Sequence, residues 1–403
     1  MSAWITVIGI GEEGLEGLNA TRLAQINAAE VLIGGERHHG KVENLQAEHL
    51  DWGAGFDQAL VEIEKRRGKM IVVLASGDPM NYGIGAVLVR HFGPDAVTIH
   101  PAPGAFSLAA ARMGWSIPDI ETLTIHGRPL ETLSRYVLPG ARLLVLTRDG
   151  DSPAEAAKLL TDKGYGESRI SVLEHLGGDG ENRLDGTAAN WNFDRAADLN
   201  TLAIDCIAGV DAIALSRAPG LPDEAFEHDG QLTKREVRAA TLAQLQPLPG
   251  QVLWDIGAGS GSISIEWLRL GGHRRAIAIE KNAGRVAAIK RNAATLGTPD
   301  LIVVEGDFDA VKETLKYQPD AIFLGGGASD LGLLKSAWSA LNPGGRLVIN
   351  AVSIEAEQTV LAFRAEFGGD LSRVSIERAG PIGSLSVFRP LITVTQFCHK
   401  KSA

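Results

Sequence analysis

Three observations predict an α/β fold with largely parallel sheets for this 403-residue chain. Apolar runs of four to seven residues recur between helical patterns along its length, as expected of strands covered by helices. Many of those runs end in glycine-rich turns, the places where open α/β sheets present ligand sites. Residues 216–230, SRAPGLPDEAFEHDG, interrupt the pattern with proline, glycine and acids and no sustained period. The expected organisation is therefore a first domain over residues 1–215, split near residue 120, a linker or ordered connecting loop over 216–230, and a second domain over 231–403.

The opening strand runs through VIGIGEEGLEGL into Gly9, Gly11 and Gly14, the G-x-G-x-x-G spacing of a dinucleotide turn. Glu12 and Glu13 stand where a pyrophosphate would meet the first amides of a helix, and they would repel it. The acid that such a fold places about 20 residues on is also misplaced. In AAEVLIGGERHH, Glu30 precedes its strand and Glu36 lies beyond a Gly-Gly pair. The next strands, in KMIVVLASGDP and AVTIHPAPG, end at Gly77, Asp78 and Pro79 and at Pro103, Gly104 and Ser107. Asp78-Pro79 fixes a sharp turn and offers a carboxylate to a cationic or hydroxyl-bearing ligand. ARLLVLTRDGDSP, RISVLEHLGG and NTLAIDCIAG supply the strands beyond residue 120.

The second domain reads as a doubly wound sheet, with strands in QVLWDIG, RAIAIE, LIVVEGD, DAIFLGGG and GRLVINAV alternating with helical segments. After a helix near residues 354–367, SRVSIER and SLSVFRPLITVTQF follow without an intervening helix. That predicts an antiparallel hairpin at one edge and a tail inserted into the sheet.

The chemistry concentrates at the tips of these strands. DIGAGSG closes the first with Gly257, Ala258, Gly259, Ser260 and Gly261, and Ser262 replaces the third glycine of a dinucleotide fold. Asp255 suits an ammonium group better than a pyrophosphate. Glu280 ends the second strand, where a carboxylate accepts from two ribose hydroxyls, and Asp307 ends the third, placed to accept from an exocyclic amine. A nucleoside carrying an amino acid satisfies all three, which points to S-adenosylmethionine. Each acid also has a plainer reading: Asp307 as the cap of the following helix, Glu280 as a surface charge. Gly325, Gly326 and Gly327 end the fourth strand, where they would admit a planar substrate close to backbone. TKRE, Thr233–Glu236, has the form of a capping box opening a helix that leads to the glycine strand.

Charge and cysteine usage narrow the classes. With 39 Lys and Arg against 49 Asp and Glu, the net charge of −10 excludes a broad nucleic-acid or anionic-membrane surface. Two cysteines give neither a disulfide framework nor a metal cluster. No apolar stretch approaches a membrane span, and a cytoplasmic location is expected.

Taken in order, the opening glycine turn, SGDPMNYGIG and PAPGAFS resemble the three motifs of the tetrapyrrole methylases, and LTRDGDSP and LEHLGG resemble the branch acting on precorrin-6. The likeness covers most of residues 1–215. HDGQLTKREVRA followed by DIGAGSGSISIEW is similar to the precorrin-6 methylase/decarboxylase family over about residues 220–400. The resemblance implies a two-lobed tetrapyrrole-methylase fold followed by a Rossmann-like methyltransferase fold. It implies S-adenosylmethionine-dependent methylation of meso carbons 5 and 15 of precorrin-6B, with loss of the ring-C acetate carboxyl, giving precorrin-8 in cobalamin biosynthesis. Carried onto matching positions, it assigns cofactor contacts to Thr233, Gly257–Gly261, Glu280, Asp307 and Phe308, and to Gly77, Asp78, Pro79, Pro103, Gly104 and Ser107. Glu12-Glu13-Gly14 departs from the family's commoner Pro-Gly-Asp run. A polycarboxylate acceptor on an acidic protein needs focused cations, and Lys234, Arg235 and Arg238 are the candidates, with a solvated helix face as the alternative. His228 and Asp229 are read as linker residues, and no catalytic acid or base is assigned. A homo-oligomer is expected. The competing function is methylation of RNA or protein by the second domain, with the first as a scaffold; the Asn/Asp-Pro-Pro-aromatic signature of amino-group methylases is missing, since FLGGGASD stands there.

Overall fold

A computed structural model describes residues 3–42, 46–52 and 55–402. Contacts divide the chain into two units: Met1–Leu130 with Val137–Ile213, and Glu131–Tyr136 with Ala214–Ala403.

The first unit holds two five-stranded sheets. One comprises β1 (Ile5–Ile10), β2 (Val31–Ile33), β3 (Glu48–Leu50), β4 (Ile71–Ser76) and β5 (Val97–His100), all parallel in the order β3-β2-β4-β1-β5. Five of the six residues of β1 and of β4 are buried, so these strands read as continuous apolar runs, as parallel strands covered on both faces do. The other sheet comprises β6 (Glu121–Thr124), β7 (Arg142–Leu146), β8 (Arg169–Glu174), β9 (Asn182–Thr187) and β10 (Asn200–Asp205), in the order β6-β7-β10-β8-β9. Here the expectation of largely parallel pairing fails. Only β6 and β7 run parallel, while β7–β10, β10–β8 and β8–β9 are antiparallel. The reason is local: the turn through Gly177, Gly178 and Gly180 is too short for a crossover helix, so β9 folds straight back along β8.

The second unit is a seven-stranded sheet ordered β13-β12-β11-β14-β15-β19-β16. It comprises β11 (Val252–Ile256), β12 (Arg275–Glu280), β13 (Ile302–Glu305), β14 (Ala321–Leu324), β15 (Arg346–Ala351), β16 (Asp370–Val374) and β19 (Val394–Lys400). The first five are parallel and doubly wound, and the order reverses between β11 and β14, which is where such sheets open a ligand crevice. As expected, the tail inserts into the sheet: β19 pairs antiparallel with both β15 and β16. The hairpin of β17 (Glu377–Ile382) and β18 (Leu385–Pro390) forms its own two-stranded sheet rather than an edge of the large one. This is a Rossmann-like methyltransferase fold. Among the described residues, no helix is long and apolar enough to cross a membrane.

Residues 216–230 are docked on the second unit. The buried Glu266 carboxylate accepts from the amides of Gly220 (2.7 Å) and Leu221 (2.9 Å), and Asn292 brackets Glu227 through both its amide and its carbonyl. Arg269, also buried, donates to the carbonyls of Leu215, Ser216 and Leu296, and burial pushes its pKa down to about 10.

Candidate cofactor sites

In the second unit the turn after β11 works as its glycines require. Gly257, Gly259 and Gly261 all have left-handed φ values (68°, 61° and 76°), and the amides of Gly257 and Ala258 both donate to the Ile279 carbonyl, tying the turn to β12. A Cβ on Gly261 would lie 2.9 Å from Ile289, and one on Gly257 would lie 3.2 Å from the backbone of Gly326. Gly326 therefore meets the glycine turn itself, and Gly325 donates to the Ile256 carbonyl. That close approach of β11 and β14 ends is the packing role of the 325–327 run.

Glu280 is 4 % exposed at the tip of β12, so the surface-charge reading fails. Its two oxygens accept from the amides of Gly259 (2.9 Å) and Asn282 (3.0 Å), which fixes the carboxylate beside the turn and leaves each oxygen a second lone pair. Asp307 caps the short helix Phe308–Val311 by accepting from Asp309. Phe308 is a core residue: it is buried and packs edge-on to Trp254 at 5.9 Å.

A cleft of about 250 Å³ opens beside the turn, lined by Gly259 and Ser260 together with Glu227, His228, Asp229, Gln231, Asn282 and Arg285. Sequence reasoning missed this far wall. Asp229 is held by Arg285 at 2.8 Å and Glu227 by Arg291, so the segment read as linker closes over the site.

Two expectations around the helix Arg235–Leu245 are corrected. Thr233 caps nothing: the helix begins one residue later, with Lys234 at the cap position and no side-chain cap, because the Thr233 carbonyl is bound to Arg238 and Glu236 is paired with Arg378. Arg238 is neither a substrate contact nor a solvated charge, since it is fully buried against Glu266 and Asp223. Lys234 and Arg235 open the helix and are not among the residues lining the cleft.

Asp255 supplies the test of whether a methyl-donor nucleoside fits. It is buried; Oδ2 accepts from the Ser264 amide and hydroxyl, while Oδ1 has no partner, and the Ser260 hydroxyl is likewise buried and unpartnered. Orphaned buried acceptors at a glycine turn are what an ammonium-bearing ligand would satisfy. Burial pushes the Asp255 carboxyl up to about 6. An acid whose folded pKa exceeds its unfolded value stabilises the fold below the unfolded value, and that stabilisation is lost as pH rises through the folded one. Without ligand, the second unit is thus expected to lose about 2 kcal/mol between pH 4 and 7 from this group. Asp255→Asn should flatten that slope in thermal unfolding across this pH range, and S-adenosylmethionine should flatten it in the wild type.

In the first unit the three predicted strand ends converge. The amide of Gly77 donates to Ile10, and its carbonyl accepts from Ala102. A Cβ on Gly9 would fall 2.0 Å from the Gly77 carbonyl, one on Gly77 2.9 Å from the Gly104 Cα, and one on Gly104 3.2 Å from the Asp78 Cβ. Three backbones thus meet only because side chains are missing there. Asp78 forms a turn by accepting from Met80, Pro79 is buried under Gly83 and Gly85, and Pro103 and Ser107 are exposed on either side of the start of the helix Ala105–Met113. Glu12 is not a bare repelling charge. Lys41 bonds it at 2.9 Å, with Arg37 and His175 at 3.6 and 3.5 Å; burial alone would raise its pKa, but these partners outweigh burial and lower it.

Comparison with known proteins agrees with both halves. Residues 5–191 match the family described as Tetrapyrrole (Corrin/Porphyrin) Methylases, and residues 224–401 match Precorrin methyltransferase domain. A precorrin-6Y C(5,15)-methyltransferase [decarboxylating] of Sinorhizobium sp is 46% identical over 402 residues, covering 100% of this chain and 97% of that one. Its namesake in Mycobacterium tuberculosis is 39% identical over 399 residues, 98% and 100% of the two chains. A cobalt-precorrin-7 C(5)-methyltransferase of Salmonella typhimurium is 35% identical over 173 residues, 43% of this chain and 85% of that one. End-to-end identity at this level, on a chain whose two units carry the two glycine-lined sites described above, places the protein in the precorrin-6Y C(5,15)-methyltransferase (decarboxylating) family.

Proposed function

We propose that the chain methylates carbons 5 and 15 of precorrin-6B and removes the ring-C acetate carboxyl as carbon dioxide, giving precorrin-8, with S-adenosylmethionine as donor in both units. Supporting this reading most directly is the buried Asp255 and Glu280 pair flanking a left-handed glycine turn, in a chain that aligns with its decarboxylating relatives over their whole length. The decarboxylation and carbon 15 belong to the second unit, which resembles the methylase/decarboxylase family. Carbon 5 then falls to the first, in keeping with a relative whose name gives carbon 5 alone. The same proposal includes a homo-oligomeric protein and a cytoplasmic location, the latter in keeping with two free buried thiols, of which Cys206 is pushed up to about 12 by burial.

The donor supplies an electrophilic methyl on a sulfonium. In the second unit, Glu280 would accept from the ribose hydroxyls, Asp255 would pair with the ammonium, and Asp307 would accept from the adenine amine. The loop over 227–231 excludes water, so these residues hold an in-line geometry rather than supply a strong base. For the decarboxylation, the C–CO2 bond electrons pass into a protonated ring imine β to the carboxylate, as in a β-keto acid, and the macrocycle itself is the electron sink. The test is mass spectrometry of the product formed from precorrin-6B and S-adenosylmethionine. Two methyl gains with one carbon dioxide loss are expected, and an unchanged substrate mass defeats the proposal.

A further inference from the structure

The GGERHHGK segment after β2 lies outside the glycine motifs, yet its Arg37 and His38 meet Ser76 at the end of β4, one residue before Gly77. Gly34 has no Cβ to strike His38, whose own Cβ would lie 3.1 Å away, and this lets the imidazole fold back under the loop. His38 Nδ1 lies 3.3 Å from the Gly35 amide, His38 Nε2 lies 3.1 Å from Ser76 Oγ, and Arg37 Nη2 lies 3.0 Å from the same oxygen. The proton positions follow from the partners. An amide can only donate, so Nδ1 is the acceptor; burial, reinforced by Arg37 and Lys41, holds His38 near a pKa of about 4, so the ring is neutral and carries its hydrogen on Nε2. Ser76 Oγ therefore receives two hydrogen bonds, from His38 and Arg37, which occupy both its lone pairs. Its own O–H is left as an obligate donor with no acceptor among the described residues. Ser76 is exposed, and beside it Arg37 is 43 % exposed, spending one further contact on Glu12 at 3.6 Å and keeping spare N–H groups. A guanidinium and a hydroxyl forced to donate, side by side at the strand end that leads into Gly77 and Asp78, match the two oxygens of a carboxylate.

We propose that Ser76 and Arg37 form an anchor for one acetate or propionate carboxylate of the tetrapyrrole in the first unit, with His38 as the positioning residue that orients the Ser76 hydroxyl. This rests on the proposed function, which supplies the polycarboxylate acceptor. The methionine carboxylate of the donor has the same chemistry, and the experiment separates the two.

In the full-length protein, steady-state kinetics of methyl transfer to carbon 5 is measured for the wild type and for Ser76→Ala, Ser76→Thr, Arg37→Gln and His38→Phe, with S-adenosylmethionine affinity determined by calorimetry. Ser76→Ala and Arg37→Gln are expected to raise KM for the tetrapyrrole about tenfold with kcat within about twofold, Ser76→Thr to restore it, and His38→Phe to add nothing in the Ser76→Ala background. Carbon dioxide release by the second unit serves as the internal control. Unchanged KM in both Ser76→Ala and Arg37→Gln, additivity of the His38 and Ser76 substitutions, or a weakening confined to S-adenosylmethionine overturns the assignment. Should the wild type itself leave precorrin-6B unmodified, the proposed function fails instead.

Discussion

Arg238→Ala is expected to destabilise the second unit by about 3–5 kcal/mol, the cost of leaving buried partner charges uncompensated. The guanidinium is fully buried and nearly saturated: Nε donates to Glu266 (2.5 Å), Nη1 to Asp223 (3.2 Å) and the Thr233 carbonyl (2.6 Å), and Nη2 to the Leu221 carbonyl, while the Phe226 ring lies 4.8 Å away. Glu266 in turn holds the amides of Gly220 and Leu221, and Asp223 holds Arg378 at 3.1 Å. Removing the arginine thus leaves Glu266 buried with no cation and Asp223 with Arg378 alone, and it releases the segment that carries Glu227–Gln231 to the cleft beside the glycine turn. Urea unfolding followed through the buried Trp254 and Trp267 reads the loss. The double change Arg238→Met with Glu266→Gln should recover part of it, because the uncompensated charge is then reduced. A loss below about 1 kcal/mol in Arg238→Ala would mean that the network contributes no net stability.

This arginine also marks the boundary of what sequence could convey. The glycine turn, the acid at the tip of β12 and the inserted tail were legible because each is written in neighbouring residues: positive-φ glycines at fixed spacing, a strand ending in Glu280, and two apolar runs with no helix between them. Arg238 reads as one more charge on a helix because its partners lie 15 and 28 residues away, and local spacing carries no trace of them. The capping box at Thr233 fails for the same reason: Arg238 takes the Thr233 carbonyl and Arg378, from β17, takes Glu236, so tertiary partners override a sound local motif. β9 was invisible as an exposed, polar strand, NRLDGT, without apolar alternation. The cleft wall at His228 and Asp229 was hidden by composition, since a proline- and glycine-rich stretch looks mobile until its anchors, Glu266, Asn292 and Arg285, are seen.

Glu280→Ala carries the largest expected functional effect, because the buried carboxylate does two jobs through the same oxygens. Within the protein it fixes the Gly259 and Asn282 amides, and toward the donor it would accept from two ribose hydroxyls. Hydrogen bonds to a charged acceptor contribute about 1.5–3 kcal/mol each, so losing two weakens donor binding by roughly 3–6 kcal/mol, on the order of 10²–10⁴-fold. Calorimetry on the full chain should then show one of two donor sites lost, and the product should lack the methyl at carbon 15. Glu280→Gln is not a mild control here: whichever oxygen becomes the amide nitrogen, its hydrogens meet the Gly259 or the Asn282 N–H, and a donor faces a donor. The glutamine variant should therefore be nearly as defective as alanine, whereas a carboxylate needed only for its charge would predict a spread between Gln and the charge-preserving Glu280→Asp alone. Two donor sites of unchanged affinity in Glu280→Ala, in protein whose unfolding midpoint matches the wild type, would remove this residue from the cofactor site and with it the reading of the β12 tip as the ribose contact.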